Sequence, residues 1–312
     1  MKNLKRTFVL AAGLFLMTSA YGQNQFHMTQ YMVHQPFINP ASMGMYDNMN
    51  GSVFYKNQWT GFDGAPKLIG FNFNSPIGAG RKNRLGLTVV NDKIGVNMNT
   101  SISGSYAYSI KTGAASTLSF GLAATLGLRQ SDYAEVETTI SDPEFLSNTP
   151  TLAMPNFKFG AYYKAKNWYV GMSLPNMLKN TIEYSNEFSS ATSFDFSDWH
   201  FYLHGGYSWE INDNLDLNSS TIFKHVSGAP FQVDISTMLA IKKKFGFGLN
   251  YRTSKDLSAL VRFRLNPMLE MAYAYDYSFS EINKFSSGSH EIMIVFDIYN
   301  KDKRPDKAMP RY

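Results

Sequence analysis

The chain of 312 residues predicts an all-β fold, a transmembrane antiparallel β-barrel of about 14 strands. Three observations lead there. Apolar residues fall on alternate positions in one segment after another, the two-residue period of a strand with two unlike faces. Aromatics are abundant, with 19 Tyr, 24 Phe and 4 Trp, whereas charged residues make up only 17%, below the roughly 25% of soluble domains. Mean hydropathy is nevertheless negative, so apolar residues are interleaved with polar ones. No segment offers the ~20 consecutive apolar residues of a membrane helix, so a chain of this kind enters a membrane as strands.

The elements follow in order. Lys2, Lys5 and Arg6, an apolar core over 7–17 and Ala20-Tyr21-Gly22 have the pattern of a signal peptide over 1–22, with Gln23 as the first mature residue. Residues 23–49 are rich in Met, Gln, Asn and Pro and show neither strand nor helix period. Tyr31, Met32, Phe37 and Ile38 are too apolar to leave in water, so this stretch is expected to fold into the lumen as a plug. The barrel itself is expected over 50–299. Its strands are placed at 50–58, 67–75, 83–92, 99–110, 116–129, 156–164, 167–174, 198–210, 213–224, 230–241, 244–253, 256–265, 268–279 and 289–299. The clearest is 268–279, with Leu269, Met271, Tyr273, Tyr275, Tyr277 and Phe279 on one face and Glu270, Ala272, Ala274, Asp276 and Ser278 on the other. A soluble sandwich also alternates, so the argument rests on the ensemble. Connections supply the second test: those near 75–84, 111–115, 164–167, 211–214, 242–244 and 266–267 are short, whereas 130–155, 175–197 and 279–288 belong to the opposite set. Short periplasmic turns and long outer loops are the outer-membrane pattern, which puts residues 55–66 outside and both termini in the periplasm. The tail 300–312, with Lys301, Lys303, Arg304 and Lys307, is expected to be a periplasmic extension, solvated rather than docked.

Residues 55–66 read Tyr-Lys-Asn-Gln-Trp-Thr-Gly-Phe-Asp-Gly-Ala-Pro and end one strand run before another begins. Gly61 and Gly64 supply positive φ, and Pro66 closes the turn without donating to a ladder. Asn57, Gln58 and Asp63 are suited to anchor it through side-chain bonds, while Trp59 and Phe62 need an apolar bed. On the faces placed inward, Arg252, Arg262, Arg264, Glu270, Asp276, Glu291 and Asp297 crowd neighbouring carboxy-terminal strands. Both signs at that density predict a paired ladder that holds the wall and grips the plug, with a solute-binding patch as the alternative.

Several functions are disfavoured. The absence of cysteine removes disulfides, thiol catalysis and thiolate metal sites. His200 and His204 share a strand face but stand ~13 Å apart, too far for one metal ion, and His290 and Glu291 point to opposite faces. Neither a Gly-x-Ser-x-Gly elbow nor a phosphate-binding glycine loop is present, and the glycines Gly121, Gly127, Gly246 and Gly248 read as relief of lumen crowding. The basic residues behind the net charge of +5 are scattered and form no nucleic-acid face. No enzyme activity and no cofactor is expected.

Residues 55–66 also resemble the signature of the PorP/SprF family, outer-membrane proteins of the type IX secretion system of Bacteroidetes. The resemblance continues through Gln30-Tyr31-Met32, Asn39-Pro40-Ala41 with Gly44, Ser75-Pro76, Asn91-Asp92, Tyr275-Asp276-Tyr277-Ser278 and Gly288-Ser289-His290-Glu291-Ile292, so it spans the mature chain. Asn39-Pro40-Ala41 in addition resembles the amino-terminal plug of fatty-acid-transporter-type barrels. The family resemblance implies an accessory that supports export or surface attachment of cargo carrying type B carboxy-terminal domains, such as the large adhesins of gliding motility. Its implied partners are that cargo, outer-membrane lipid and other secretion components in the outer membrane and periplasm, with Trp59, Phe62 and Asp63 either holding the plug or facing a surface partner. A plugged channel for small or hydrophobic solutes is the alternative.

Overall fold

The structure is a computed structural model and describes residues 27–135, 148–184, 188–196, 199–226 and 229–298. The expected signal peptide and the tail 300–312 lie outside the described residues. Among the described residues there are sixteen strands, in chain order β1 (Met49–Asn57), β2 (Lys67–Ile77), β3 (Asn83–Ile94), β4 (Asn97–Lys111), β5 (Thr117–Ser131), β6 (Leu152–Lys164), β7 (Trp168–Leu174), β8 (Lys179–Tyr184), β9 (Phe188–Ser193), β10 (His200–Asn212), β11 (Leu215–Val226), β12 (Gln232–Ile241), β13 (Phe245–Arg252), β14 (Asp256–Asn266), β15 (Leu269–Ser278) and β16 (Ser289–Ile298). Fourteen of them close an antiparallel barrel in which each strand pairs with its chain neighbours, β7 passing directly to β10. Closure joins β1 to β16 from Met49↔Ile298 to Asn57↔His290. A closed ladder leaves no edge strand, which is how backbone polar groups are satisfied where lipid replaces water. Among the described residues, no helix is long and apolar enough to cross a membrane.

The period-two pattern sorts side chains cleanly. Val53, Ile69, Leu87, Leu122, Leu249 and Val261 project outward and stay exposed, an apolar surface far larger than a water-soluble protein tolerates. The alternate positions point into the lumen and are largely polar: Asn50, Ser52, Asn72, Asn74, Ser236 and Asn250 are all buried there.

One end of the barrel carries only short connections, at 78–82, 112–116, 165–167, 213–214, 242–244 and 267–268. The other end carries the longer ones at 58–66, 132–151, 175–199 and 279–288. Within the connection at 175–199 the chain makes a separate hairpin, β8–β9, paired from Lys179↔Ser193 to Tyr184↔Phe188. The sequence reading leaves this hairpin in the loop, because Lys-Asn-Thr-Ile-Glu-Tyr and Phe-Ser-Ser-Ala-Thr-Ser have no continuous apolar face to announce a strand. It leans on the barrel wall instead, the Ser190 hydroxyl donating to the Ala153 carbonyl at 2.9 Å.

Candidate functional site in the barrel lumen

Residues 27–48 occupy the lumen. Their first residue lies at the long-loop end, where His27 shares a cavity with Trp59, Ser254 and Ser280. The stretch then descends to the short-turn end, where the Arg84 guanidinium holds the carbonyls of Tyr46 and Asn48. From there the chain turns back up as β1. Two short 3-10 turns, Gln35–Phe37 and Pro40–Met45, shape the descent. The first and last described residues, His27 and Ile298, stand at opposite barrel ends, because the described amino-terminal segment passes along the barrel once without being a strand.

Three anchors hold this segment. The first is at the long-loop end and uses the family residues directly. Glu291, fully buried, accepts from the backbone N–H of Thr29 at 2.8 Å and of Gln30 at 2.9 Å, one on each oxygen. The Thr29 hydroxyl donates to Asp276 at 2.7 Å and accepts from Lys56 at 2.8 Å. Lys56 in turn lies 2.8 Å from Asp276 and 3.4 Å from Glu291. Two carboxylates, one ammonium, a hydroxyl and two orphan amide donors thus partner one another, with the second Asp276 oxygen left without a hydrogen bond, and pairing of this kind is what makes charge tolerable in a dry interior.

The second anchor is Asn39-Pro40-Ala41. Asn39 caps its 3-10 turn by accepting from Ala41 N at 2.9 Å, and Pro40 fits the first turn, where its missing N–H costs nothing. The Asn39 amide nitrogen simultaneously reaches the carbonyls of Ala161 and Met172 at 3.1 Å each, and His204 at 3.1 Å. Close approach makes this possible: a Cβ on Gly121 would sit 2.4 Å from Ala41 N, and one on Gly44 2.1 Å from the Ser119 hydroxyl oxygen. Tyr31 and Met32 are buried in a separate apolar cluster with Phe37, Ile38 and Phe54, and the Tyr31 hydroxyl lies 3.2 Å from that of Ser220. The third anchor is Arg84, which also bonds Asn74 at 2.8 Å.

The other charged residues pair in two groups at opposite ends of the barrel. Arg252 joins Asp234 at 3.2 Å and Asp256 at 3.8 Å at the long-loop end, with Lys224 3.2 Å from Asp234. Arg264 binds Glu270 at 2.7 Å, and Arg262 lies 3.6 Å from Glu270, both at the short-turn end. Asp297 is also at that end, two residues past Val295, the ladder partner of Glu270. Between the two groups lies an apolar belt of Leu260, Ala272, Ala274 and Met293. Strand length is the physical reason: Asp256 and Arg264, on one strand, are ~26 Å apart at ~3.3 Å per residue. Lys56, Arg84, Lys224 and Asp234 add to these charges from other strands, where the same parity turns each inward. Beside Lys224 and Arg252, burial first and those two cations second hold the His27 imidazole well below its usual range.

The loop at 58–66 is built differently from its sequence reading. Backbone bonds close it, Gln58 N to Pro66 O at 2.9 Å and Ala65 N to Phe62 O at 3.1 Å, rather than the side chains of Asn57, Gln58 or Asp63. It docks on the 279–288 connection through Thr60 N to Gly288 O and Ser287 N to Thr60 O, each 2.7 Å. Gly64, at φ 71°, passes its carbonyl to Gly95 N at 2.8 Å. Trp59 and Pro66 face the cavity beside His27, whereas Phe62 and Asp63 are exposed and do not hold the lumen segment. In the closing hairpin, Tyr275 donates to Ser287 O at 3.1 Å, Asn283 donates to the Tyr277 hydroxyl at 3.0 Å, and His290 lies outward, 2.7 Å from the Tyr273 hydroxyl. Asn91 donates to Thr100 at 2.8 Å, and Asp92 reaches the rims of two cavities.

A closed 14-stranded barrel with an apolar exterior and a polar, chain-filled lumen is a protein of the outer-membrane class. Residues 20–296 match the family described as type IX secretion system membrane protein PorP/SprF. The chain belongs to that family, and its place is the outer membrane. No curated protein sequence matches it. Among solved structures it is similar to the CymD monoaromatic hydrocarbon channel, at 10% identity and a TM-score of 0.52, covering 90% of this chain and 95% of that one. The toluene transporter TbuX of Ralstonia pickettii gives 8% identity, a TM-score of 0.49 and coverage of 86% and 93%. A Pseudomonas aeruginosa FadL homologue gives 11%, 0.44, and 90% and 96%. At such identities the likeness concerns the fold alone.

Proposed function

We propose that this protein is an accessory of the type IX secretion system that supports export or cell-surface attachment of partner cargo, large adhesins of the gliding-motility kind bearing type B carboxy-terminal domains. Family membership over residues 20–296 is the observation that carries the reading. The lumen supports it: residues 27–48, anchored to the wall at three levels, act as a plug, so the working surface is the rim rather than a pore. On this reading the long-loop end faces outward, and the loops at 58–66, 175–199 and 279–288 meet cargo or secretion components. No catalytic or cofactor role enters. Deletion of the gene should strip particular adhesins from the cell surface while leaving their synthesis intact; an unchanged surface proteome would refute the proposal.

A second reading, a plugged channel for small or hydrophobic solutes, draws on a cavity of about 490 Å³ on the long-loop side of the plug and on the fold shared with a hydrocarbon channel. Solute flux through barrels reconstituted in liposomes would favour it over the first.

A further inference from the structure

The cavity of about 490 Å³ lies between the lumen segment and the inner wall of β3–β6, β10 and β11, with the foot of the β8–β9 hairpin at its mouth. The volume is that of a small-molecule site, for which roughly 300–1,000 Å³ is usual. Its floor is apolar, made by Phe37 and Ile38, and Val90, Met154 and Leu178 continue that surface upward.

Charge on the wall is not balanced as it is elsewhere in the lumen. Lys224 is held by Asp234 at 3.2 Å, and Lys179 by Asp195 at 3.4 Å. Lys158 is different. It alternates with the outward-facing Phe157, lies across the β5–β6 ladder from Ala123, and lines the cavity. Among the described residues its ammonium makes neither an ion pair nor a hydrogen bond. Arg129, on the same wall, has its Nε buried without a partner. Asp92, on β3 three strands from Lys158, is the acidic residue among those lining the cavity. The Lys158 side chain is half-buried and its ammonium is left to the cavity, where an anion entering beside it would supply the partner it lacks.

The spacing selects the ligand. Ala123 and Arg129 are six residues apart on β5, ~20 Å along the strand, so Lys158 and Arg129 do not converge on one polyanion. Each offers a single positive charge, and apolar side chains line the same cavity. We propose that this cavity binds a monoanionic amphiphile, its carboxylate-type head on Lys158 and its apolar body along Phe37, Ile38, Val90, Met154 and Leu178. Arg129, nearer the mouth, attracts the anion on entry. This site does not depend on the secretion reading, since a surface accessory and a channel can each carry it.

The test uses the full-length protein exchanged from detergent into amphipol, titrated calorimetrically with dodecanoate, dodecan-1-ol and acetate. Saturable binding of dodecanoate is expected, with the alcohol and acetate at least about tenfold weaker, the factor a lost buried charge pair readily exceeds. Lys158→Met should weaken dodecanoate at least about tenfold while leaving dodecan-1-ol unchanged, and Lys158→Arg should retain binding. Heat-modifiable migration on gels reports that each variant is folded. Equal binding of acid and alcohol, acetate as tight as dodecanoate, no saturable dodecanoate binding, or a folded Lys158→Met that binds like the parent would overturn the proposal. If Lys158→Met does not fold, the three-ligand comparison on the unaltered protein decides alone.

Discussion

Glu291→Gln isolates the anchor at the long-loop end. The substitution keeps one carbonyl-type acceptor for the amides of Thr29 and Gln30, which the carboxylate now holds at 2.8 and 2.9 Å. It replaces the other oxygen with a donor facing a donor, and it takes the negative charge from Lys56, 3.4 Å away. One charge-assisted hydrogen bond is worth about 1.5–3 kcal/mol, and Asp276 still compensates Lys56, so the docking of residues 27–48 should weaken by about 2–3 kcal/mol. That is about 30- to 140-fold in the population of the released segment. Because the chain contains no cysteine, Met32→Cys places a single thiol at a position only 3% exposed. Its labelling by a polar maleimide then reports local opening. The rate should rise by the same factor in Glu291→Gln, while the barrel keeps its heat-modifiable migration. An unchanged rate would show that the buried carboxylate does not hold the segment.

The same thiol reads four further changes. Asn39→Ala removes a cap and the bonds to Ala161 and Met172, so labelling should rise by about tenfold to a hundredfold, one cap alone being worth about 1 kcal/mol. Gly121→Leu, which drives a side chain into Ala41, should release the segment without lowering barrel stability, and protection equal to the parent's would contradict the packing described. Arg264→Met breaks the 2.7 Å pair with Glu270 and should destabilise the barrel in urea by about 3 kcal/mol. It should leave Met32→Cys labelling unchanged, because none of the three anchors of residues 27–48 uses that pair. His27 is held neutral in the docked state, so its contribution is present above its free pKa of about 6.5 and lost as pH falls below it. Labelling, corrected for thiol reactivity with the unfolded protein, should therefore accelerate at low pH, and His27→Gln should flatten that dependence.

How much of this was legible depends on whether a residue's role is local. Strand existence was, because Leu269 to Phe279 and their counterparts declare their faces by alternation alone, and the closed ladder repeats that choice 14 times. Burial of Tyr31, Met32 and Phe37 was legible too, from an apolar content that had no other place to go. The path of the segment was not. Its direction depends on Glu291 meeting Thr29, 262 positions away, and on Arg84 meeting Tyr46, and no period encodes such pairs. The division of the charges into two groups was not legible for a related reason: parity says that Arg252 and Arg264 share a face but not that an apolar belt separates them. In the 58–66 loop, Asn57, Gln58 and Asp63 have the chemistry of turn anchors, yet the neighbouring loop supplies backbone partners instead. The β8–β9 hairpin has no apolar face and left no trace in the pattern.

Co-purification from the native outer membrane in mild detergent, followed by mass spectrometry, tests the proposed function most directly. The account expects stoichiometric secretion components or an adhesin carrying a type B domain, retained by the parent barrel and lost when the exposed Phe62 and Asp63 are both replaced by alanine. A barrel recovered alone, and passing solute when reconstituted in liposomes, would contradict it.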